Sequence, residues 1–434
     1  MKSILSEVMD ALEDNDDVQK LSREYENIEV VLVGLNSLID FPKTLEFLEE
    51  QLISDGDPGH VDKIGECKEE KNEILKAIFD GKLIIFIHKL KLVLSVEPFA
   101  RTLSRAIETP SGDNDYLGPL SAFNEDLDTN VGLLRKQYVS ENLRVKSYTV
   151  GNGQKKVSLL YCKNRVHTKL LDNVINQMES NLDKSVHTMQ DATRMLGLPK
   201  YHLISPFHTT ESPHEVCSNL ERGRVVLFLD RLPYALITPS TLWDMFAIKN
   251  DENASYMVMT VVRLLRVIGA LLGLILPGLY VALVSINPEM LKIELALSVA
   301  KTREGVPYPA LIEVIFMLIV LELILESLKR LPKSIGPSIT MVGGIILGQA
   351  VVEAKLVSNL LIIILAATTI ASSTIVGTQN TNTIRVFKYL VLIFASIFGV
   401  FGVFTGLFLV CAYIASKTTL GVPYISTKGD INSG

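Results

Sequence analysis

The rhythm of apolar positions changes near residue 255. Upstream, apolar runs of strand length alternate with amphipathic stretches and charged turns. Downstream, apolar runs long enough for whole helices follow one another. Two upstream stretches copy each other: "DGKLIIFIHKLKLVLSV" from Asp80 and "RGRVVLFLDRLPYALIT" from Arg222. Gly81 matches Gly223, Lys82 matches Arg224, Phe86 matches Phe228 and Leu90 matches Leu232. Each copy predicts a β-hairpin that follows a helix. A second pair agrees. "EVVLVGL" from Glu29 precedes the helical pattern "KTLEFLEEQLI", and "KVSLLYC" from Lys156 precedes "KLLDNVINQM". The upstream half therefore reads as two αβ units in tandem, by duplication or by convergence of pattern. The predicted fold is an α+β soluble N-terminal half, two tandem αβ subdomains, followed by an α-helical multi-span membrane domain. Its bounds are 1–107 for the first subdomain, 108–142 for a polar linker containing "ETPSGDNDYLGP", 143–255 for the second, and 256–434 for the helices and a short C-terminal tail. "GNGQ" at Gly151 reads as a hairpin turn between strand-like flanks.

Downstream, five apolar segments stand out: Val267 to Ile286, Val306 to Leu325, Ile335 to Val352, Leu356 to Val376 and Tyr389 to Ser416. A helix rises about 1.5 Å per residue, so about 20 residues cross a hydrocarbon core of about 30 Å. Four or five spans are predicted. Only Glu353, Ala354 and Lys355 part the third segment from the fourth. That pair is a tight hairpin, or one member dips in and returns. Gly269 with Gly273, Gly344 with Gly348, and Gly402 with Gly406 each form GxxxG, a spacing that lets helices approach within a subunit or between subunits. The fourth segment carries hydroxyls at Thr368 and Ser372, one turn apart. They line a wet path or bond back to their own backbone.

Net charge is −6 with 21% charged residues, which gives nucleic acid no basic face to bind. Cys67, Cys162, Cys217 and Cys411 lie far apart and form no CxxC pair, so neither a metal nor a disulfide framework is predicted. His208 and His214, six apart in "HTTESPHE", read as a loop ahead of a metal site. No phosphate loop, zinc-protease helix or nucleophile elbow occurs. No enzyme activity and no cofactor is therefore predicted. The acidic N-terminus lacks the apolar core of a secretory signal, so the soluble half is expected to stay where it is made. With five crossings, basic residues on the two flanks number seven against six and leave orientation open.

Charge reappears inside the second apolar segment as Glu313 and Glu322, with Glu326 just past its end. A carboxylate at mid-membrane costs about 2.5–3.5 kcal/mol on insertion scales, so these three are predicted to face protein or water. Candidate partners are Arg263, Arg266 and Arg303. Pro307 and Pro309 lie at the mouth of the segment and cannot donate backbone hydrogen bonds. The chain there is bent or extended, as a hinge, a vestibule or a membrane-proximal plug.

Several of these stretches carry a resemblance. "LILPGLYVAL" from Leu274, "REGVPYPALIE" from Arg303, "RLPKSIGPSITMVGGIILGQAVVEA" from Arg330 and the terminal "GVPYIS" from Gly421 are similar to the A-subunits of nutrient germinant receptors of spore-forming bacteria. The likeness runs from about Glu29 nearly to the end. "LGPLSAFNEDLDTNVGLLRK" resembles the family's linker segment, with Asn130, Leu134 and Arg135 in its closing places. Leu120, Ala122 and Ser212 depart from the family, which usually has a basic residue, glycine and arginine there. The resemblance implies a multi-pass protein of the inner spore membrane whose N-terminal domain faces the spore core. It also implies a transporter-like B-subunit and a lipoprotein C-subunit as partners, a homo-oligomer, and a path for monovalent cations. Glu313, Glu322, Glu326, Thr368, Ser372 and Arg303 are then the candidates for the ion path or its gate. Pro307 and Pro309 are hinge candidates, and Gly344, Gly348, Gly402 and Gly406 are helix-packing candidates. The competing readings are a non-conducting scaffold for the partner subunits, the related stage V sporulation paralogue that amplifies germination, and a transporter.

Overall fold

A central strand buried on both faces is apolar at every position, and that rule builds the upstream half. The structure is a computed structural model that describes residues 2–25, 28–54, 65–87, 92–101, 121–151, 155–199, 201–332 and 336–426. The turns expected at 88–91 and 152–154, the linker stretch 108–120 with Leu120, and the end of the tail lie outside the described residues.

The first unit comprises α1 (Lys2–Ala11), β1 (Val18–Tyr25), β2 (Ile28–Leu35), α2 (Phe41–Ser54), β3 (Glu66–Cys67), α3 (Lys71–Phe79), β4 (Leu83–Ile87) and β5 (Leu92–Val96). After α4 (Leu127–Gln137) the second comprises β6 (Leu143–Val150), β7 (Lys155–Cys162), α5 (Thr168–Glu179), α6 (Met189–Met195), β8 (His208–Thr210), α7 (Pro213–Glu221), β9 (Val225–Leu229) and β10 (Ala235–Thr238). The first sheet runs β1-β2-β4-β5-β3 and the second β6-β7-β9-β10-β8, both antiparallel throughout. The same strand order, built from nearly the same succession of elements with α6 added in the second unit, supports duplication over convergence. β4 and β9 are buried at all five positions. In β9, Val225, Leu227 and Leu229 enter one core while Val226 and Phe228 enter the other, as the two-residue pleat requires.

Gly81 and Gly223 do the same job. Each follows its helix with φ of +88° and +79°. In each case the next residue's N–H, Lys82 or Arg224, reaches back five residues to a helix carbonyl. This left-handed cap turns the chain into the hairpin's first strand. "HTTESPHE", expected as a loop, is instead β8 followed by the start of α7 with Pro213 in its first turn. α4 falls inside the stretch expected as linker; Leu127, Val131 and Leu134 pack it onto the second sheet.

The two units are joined by buried polar groups. Arg135 of α4 donates to Asp17 at 3.3 Å, to Asn15 and to the Leu143 carbonyl, and Asp17 accepts from Ser37 N–H and hydroxyl. Burial pushes the Asp17 carboxyl up and the Arg135 guanidinium down, so desolvation outweighs their attraction. Such a pair adds little net stability, and losing one partner alone is costly.

Downstream the chain is helical: α8 (Tyr256–Val281), α9 (Ile293–Thr302), α10 (Ala310–Leu328), α11 (Gly336–Glu353), α12 (Asn359–Ser373) and α13 (Thr378–Ala415), then a small β11 (Thr418–Thr419) and β12 (Val422–Pro423) pair. A π-turn extends α8 to Ile286. By length and composition, 256–286 and 378–415 could each cross a membrane, and α12 is a shorter apolar helix. α8 and α12 are antiparallel. Gly269 faces Ala371 and Thr374, Gly273 faces Thr368 and Ser372, and Tyr280 hydroxyl lies 3.0 Å from Ser358. α11 and α12 meet in a tight hairpin, with Lys355 at φ +53°.

The fifth apolar segment, expected as one helix, is two. Gly399 takes φ +64° and ψ −140° inside α13. The halves 378–398 and 400–415 fold back on one another, so that Gly406 lies against Val391 and the Phe387 and Tyr413 rings pack 5.7 Å apart. Asn287 seals the bend by accepting from Val400 N–H at 3.1 Å. The tail after α13 therefore returns to the second αβ unit. Leu420 accepts from Asn173, Leu420 and Val422 pack on the second core, and Tyr424 is buried, its carbonyl accepting from Leu242 N–H.

A buried polar chain lies in the second unit beneath the bundle: Arg224 with Asp244 at 2.8 and 3.0 Å, and His208 with Glu215 at 3.0 Å. Burial alone would raise the Asp244 carboxyl, but Arg224 and then His208 hold it below the usual range. Burial alone would lower His208, but its hydrogen bond to Glu215 and the nearby Asp244 raise it. A histidine with a raised folded pKa gives stability that is fully present below about pH 6.5 and lost as pH rises through the folded value. The thermal midpoint of the purified protein should therefore fall by about 2–4 °C for each kcal/mol lost as pH rises from mildly acidic to mildly basic. His208→Gln should flatten that slope. In a second test, Gly399→Ala places a methyl group in the space of the Asn287 side chain at a positive φ; a loss of about 1–3 kcal/mol is expected, measured as a lower melting temperature.

Candidate functional site

Charge inside the apolar helices falls into two clusters, one at each end of the bundle. The far cluster starts where Pro307 and Pro309 keep the chain extended, so that α10 begins only at Ala310; Pro309 has φ −65° and ψ 151°. Both prolines and Tyr308 are exposed at the end of the bundle rather than threaded through it. Arg303, before them, donates to Glu313 from Nη2 at 2.6 Å and Nε at 3.1 Å, and also to the Tyr308 carbonyl. Glu313 is 1% exposed. Its second oxygen accepts from Ser358 N–H at 3.2 Å, while the Ser358 hydroxyl accepts from Leu361 N–H and caps α12. Glu313 thus ties the α9–α10 turn to the first turn of α12, and Ser358 extends the tie to Tyr280 of α8. A carboxylate at a helix N-terminus is well placed to satisfy free N–H groups.

The near cluster is a crevice between α10, α12 and α13. Glu322 accepts from Arg385 at 3.5 Å and lies 3.8 Å from the Lys388 ammonium. Arg385 and Lys388, three residues apart, share a helix face. Thr368, Thr369 and Ser372 complete the lining. Their hydroxyls donate to the carbonyls of Leu365, Leu365 and Thr368, so the donor of each is spent on its own backbone and only lone pairs are left for the crevice. The crevice has a volume near 20 Å³, room for about one water. It shares Leu325, Thr369 and Arg385 with a cavity of about 710 Å³ between the second αβ unit and the bundle, lined also by Thr210, Gln379 and Asn382. One carboxylate faces two cations there, a net charge of about +1 by formal counting.

The two clusters separate the sequence candidates. Arg303 with Glu313 forms the far one; Glu322 with Thr368 and Ser372 forms the near one. Glu326 joins neither: it is exposed and pairs with Lys329 and Arg330 of its own helix end. Arg263 and Arg266, expected as partners of the glutamates, instead hold Asp251 at the root of α8, Arg266 at 2.6 and 2.8 Å. Burial alone would raise the Asp251 carboxyl, but Arg266 keeps it low. Gly402 and Gly406 pack the two halves of α13, whereas among the described residues nothing beyond their own helix backbone lies within 4 Å of a Cβ on Gly344 or Gly348. Sequence reasoning missed Arg385, Lys388, Ser358 and Tyr280. The spacing of Arg385 and Lys388 was a usable signal; the other two carry none. Among the described residues no group of three or more His, Cys, Asp or Glu is arranged to hold a metal ion.

The chain matches the family model described as Bacillus/Clostridium GerA spore germination protein over residues 6–433. It is 31% identical over 353 residues to spore germination protein GerLA of Bacillus cereus, covering 81% of this chain and 72% of that relative. It is 28% identical over 438 residues to spore germination protein A1 of Bacillus subtilis (strain 168), covering 98% and 90%. Among solved structures, the N-terminal domain of the A subunit of the Bacillus megaterium spore germinant receptor GerK3 superposes with a TM-score of 0.41 at 19% identity, over 55% of this chain and 94% of that one.

Removing the Glu313 charge should act first on stability. Glu313→Gln leaves Arg303 without its anionic partner. Breaking a buried pair costs about 3–5 kcal/mol, to be read as a lower melting temperature of the purified chain, whereas Glu326→Gln, at an exposed position, should leave the melting temperature as it is.

Proposed function

We propose that this chain, which belongs to the GerA family of spore germination proteins, is the A-subunit of a nutrient germinant receptor. In this reading its helical half crosses the inner spore membrane six times, with the αβ half and the tail both on the spore-core side. The six passes are α8, α10, α11, α12 and the two halves of α13. The tail docked on the second αβ unit supports an even number. Gly269 beside Thr374 and Asn287 beside Val400 mark the two ends of the bundle along α8. At helical rise they are about 27 Å apart, close to a hydrocarbon core of about 30 Å. Large apolar side chains point outward along this height, among them Leu272, Ile315, Ile345 and Phe404.

The subunit works with a transporter-like B-subunit and a lipoprotein C-subunit, assembles with copies of itself, and gates the release of monovalent cations. The open Gly344–Gly348 face supports contact with a helix outside the chain. The observation that carries the gating role is Glu322, half-buried in the crevice that adjoins the large cavity and held by Arg385 and Lys388. Two cations around one carboxylate repel a third, so this arrangement is a closed one; conduction needs Glu322 released from them. The same surplus of positive charge favours a second reading, a non-conducting scaffold for the partner subunits.

Cation release from spores given nutrient separates the two. Arg385→Gln should raise release without nutrient, and Glu322→Gln should cut nutrient-triggered release by about tenfold or more, the scale of one charge interaction of about 1.4 kcal/mol. Release equal to the parent in both variants at equal protein levels rejects the gate. Absence of flux from liposomes holding all three subunits supports the scaffold.

A further inference from the structure

α9 joins α8 to α10 at the far end of the bundle, and none of its ten residues is buried. Its sequence, "IELALSVAKT", carries three stripes. Ala296, Val299 and the following Arg303 are partly shielded and turn toward the bundle, where α9 leans on α12. Glu294, Ser298 and Lys301 form a polar stripe on the opposite side. Between the two, Ile293 and Leu297 stand 79% and 67% exposed, one helical turn apart. Met290, just upstream, is exposed as well. Leu295, on the other flank between the shielded and the polar stripe, is 56% exposed as well. Three large apolar residues in open water on a ten-residue helix need a cover.

Both ends of α9 are fixed. Upstream, Asn287 holds the Gly399 bend through Val400 and also donates to Glu289. Downstream, Arg303 is held by Glu313. α9 is therefore kept at the height of the bend, where Phe398 and Phe401 are exposed on the bundle's outer surface. The uncovered residues of α9 continue that outward apolar belt at its rim, and Lys292 and Lys301 flank them.

We infer that α9 lies flat in the far interface of the bilayer, with Ile293 and Leu297 between the acyl chains just below the headgroups and the Glu294–Lys301 stripe in water. A short helix with an apolar side, a polar side and flanking lysines is the form that binds a lipid surface in this way. The inference rests on the six-pass reading. It adds a lipid contact outside the passes, and because Arg303 follows α9 directly, the Arg303–Glu313 tie has one end at the membrane surface.

Trp243 is the sole tryptophan, which makes a clean test possible. In a Trp243→Phe background, Leu297→Trp and, separately, Phe404→Trp are placed in the full chain and reconstituted in nanodiscs made with lipids brominated at a shallow or a deep acyl position. Both sites are exposed, so neither tryptophan displaces a packed neighbour. Leu297→Trp should lose more than half its emission to shallow bromine and less to deep bromine. Phe404→Trp should show the reverse order. Quenching of Phe404→Trp with none of Leu297→Trp overturns the α9 assignment and leaves the six-pass reading standing. Quenching of neither overturns both. Ile293→Trp repeats the measurement one turn away.

Discussion

The contact on which the helical half depends is the Glu313 carboxylate, shut away from solvent against Arg303 and the first turn of α12. The apolar helices have little else to fix their relative height. Chains of Leu, Ile and Val slide past one another at small cost, whereas a charge pair with a helix cap at one end allows a single register. Arg303 comes from the turn after α9, Glu313 from the first turn of α10 and Ser358 from the start of α12, with Tyr280 of α8 bonded to Ser358. Four elements are thereby set at one level, and the packing of Gly269 and Gly273 on α12 follows from it.

The opposite end is held by different means. There the soluble half supplies the contacts. Asp251 takes both Arg263 and Arg266, the Met245 carbonyl accepts from Val376 N–H, and the tail places Tyr424 in the same buried cluster as Met245, Ile204 and Ile384. The second αβ unit and the bundle thus share a core. The first unit reaches them through α4, whose Arg135 is locked to Asp17, and whose Gly132 leaves no room for a side chain beside the Ser37 carbonyl. Packed contacts thus run from the first unit through α4 to the second, and from the second into the bundle.

The crevice itself is polar but nearly closed. Every hydroxyl in its wall is committed to its own helix, and its carboxylate is outnumbered by cations. Both features suit a position that holds charge in place at rest. The large cavity below it reaches Arg385.

Local features determined what the chain alone made legible. Strand and helix periods, the paired glycines before each hairpin, the tandem αβ arrangement and the apolar character of the downstream half depend on neighbours within a few residues. So does the placement of Pro307 and Pro309 before α10. The far-end partnership of Arg303 with Glu313 was within reach because only ten residues part them. The tertiary structure alone decided the rest. Glu322 finds Arg385 sixty-three residues away, and Asp17 finds Arg135 across 118; which charges meet depends on how whole helices and sheets stack. The bend at Gly399 was hidden for a related reason. An apolar run shows the same composition whether it runs straight or doubles back, and a glycine takes a positive φ only where a neighbour, here Asn287, fills the space a side chain would need.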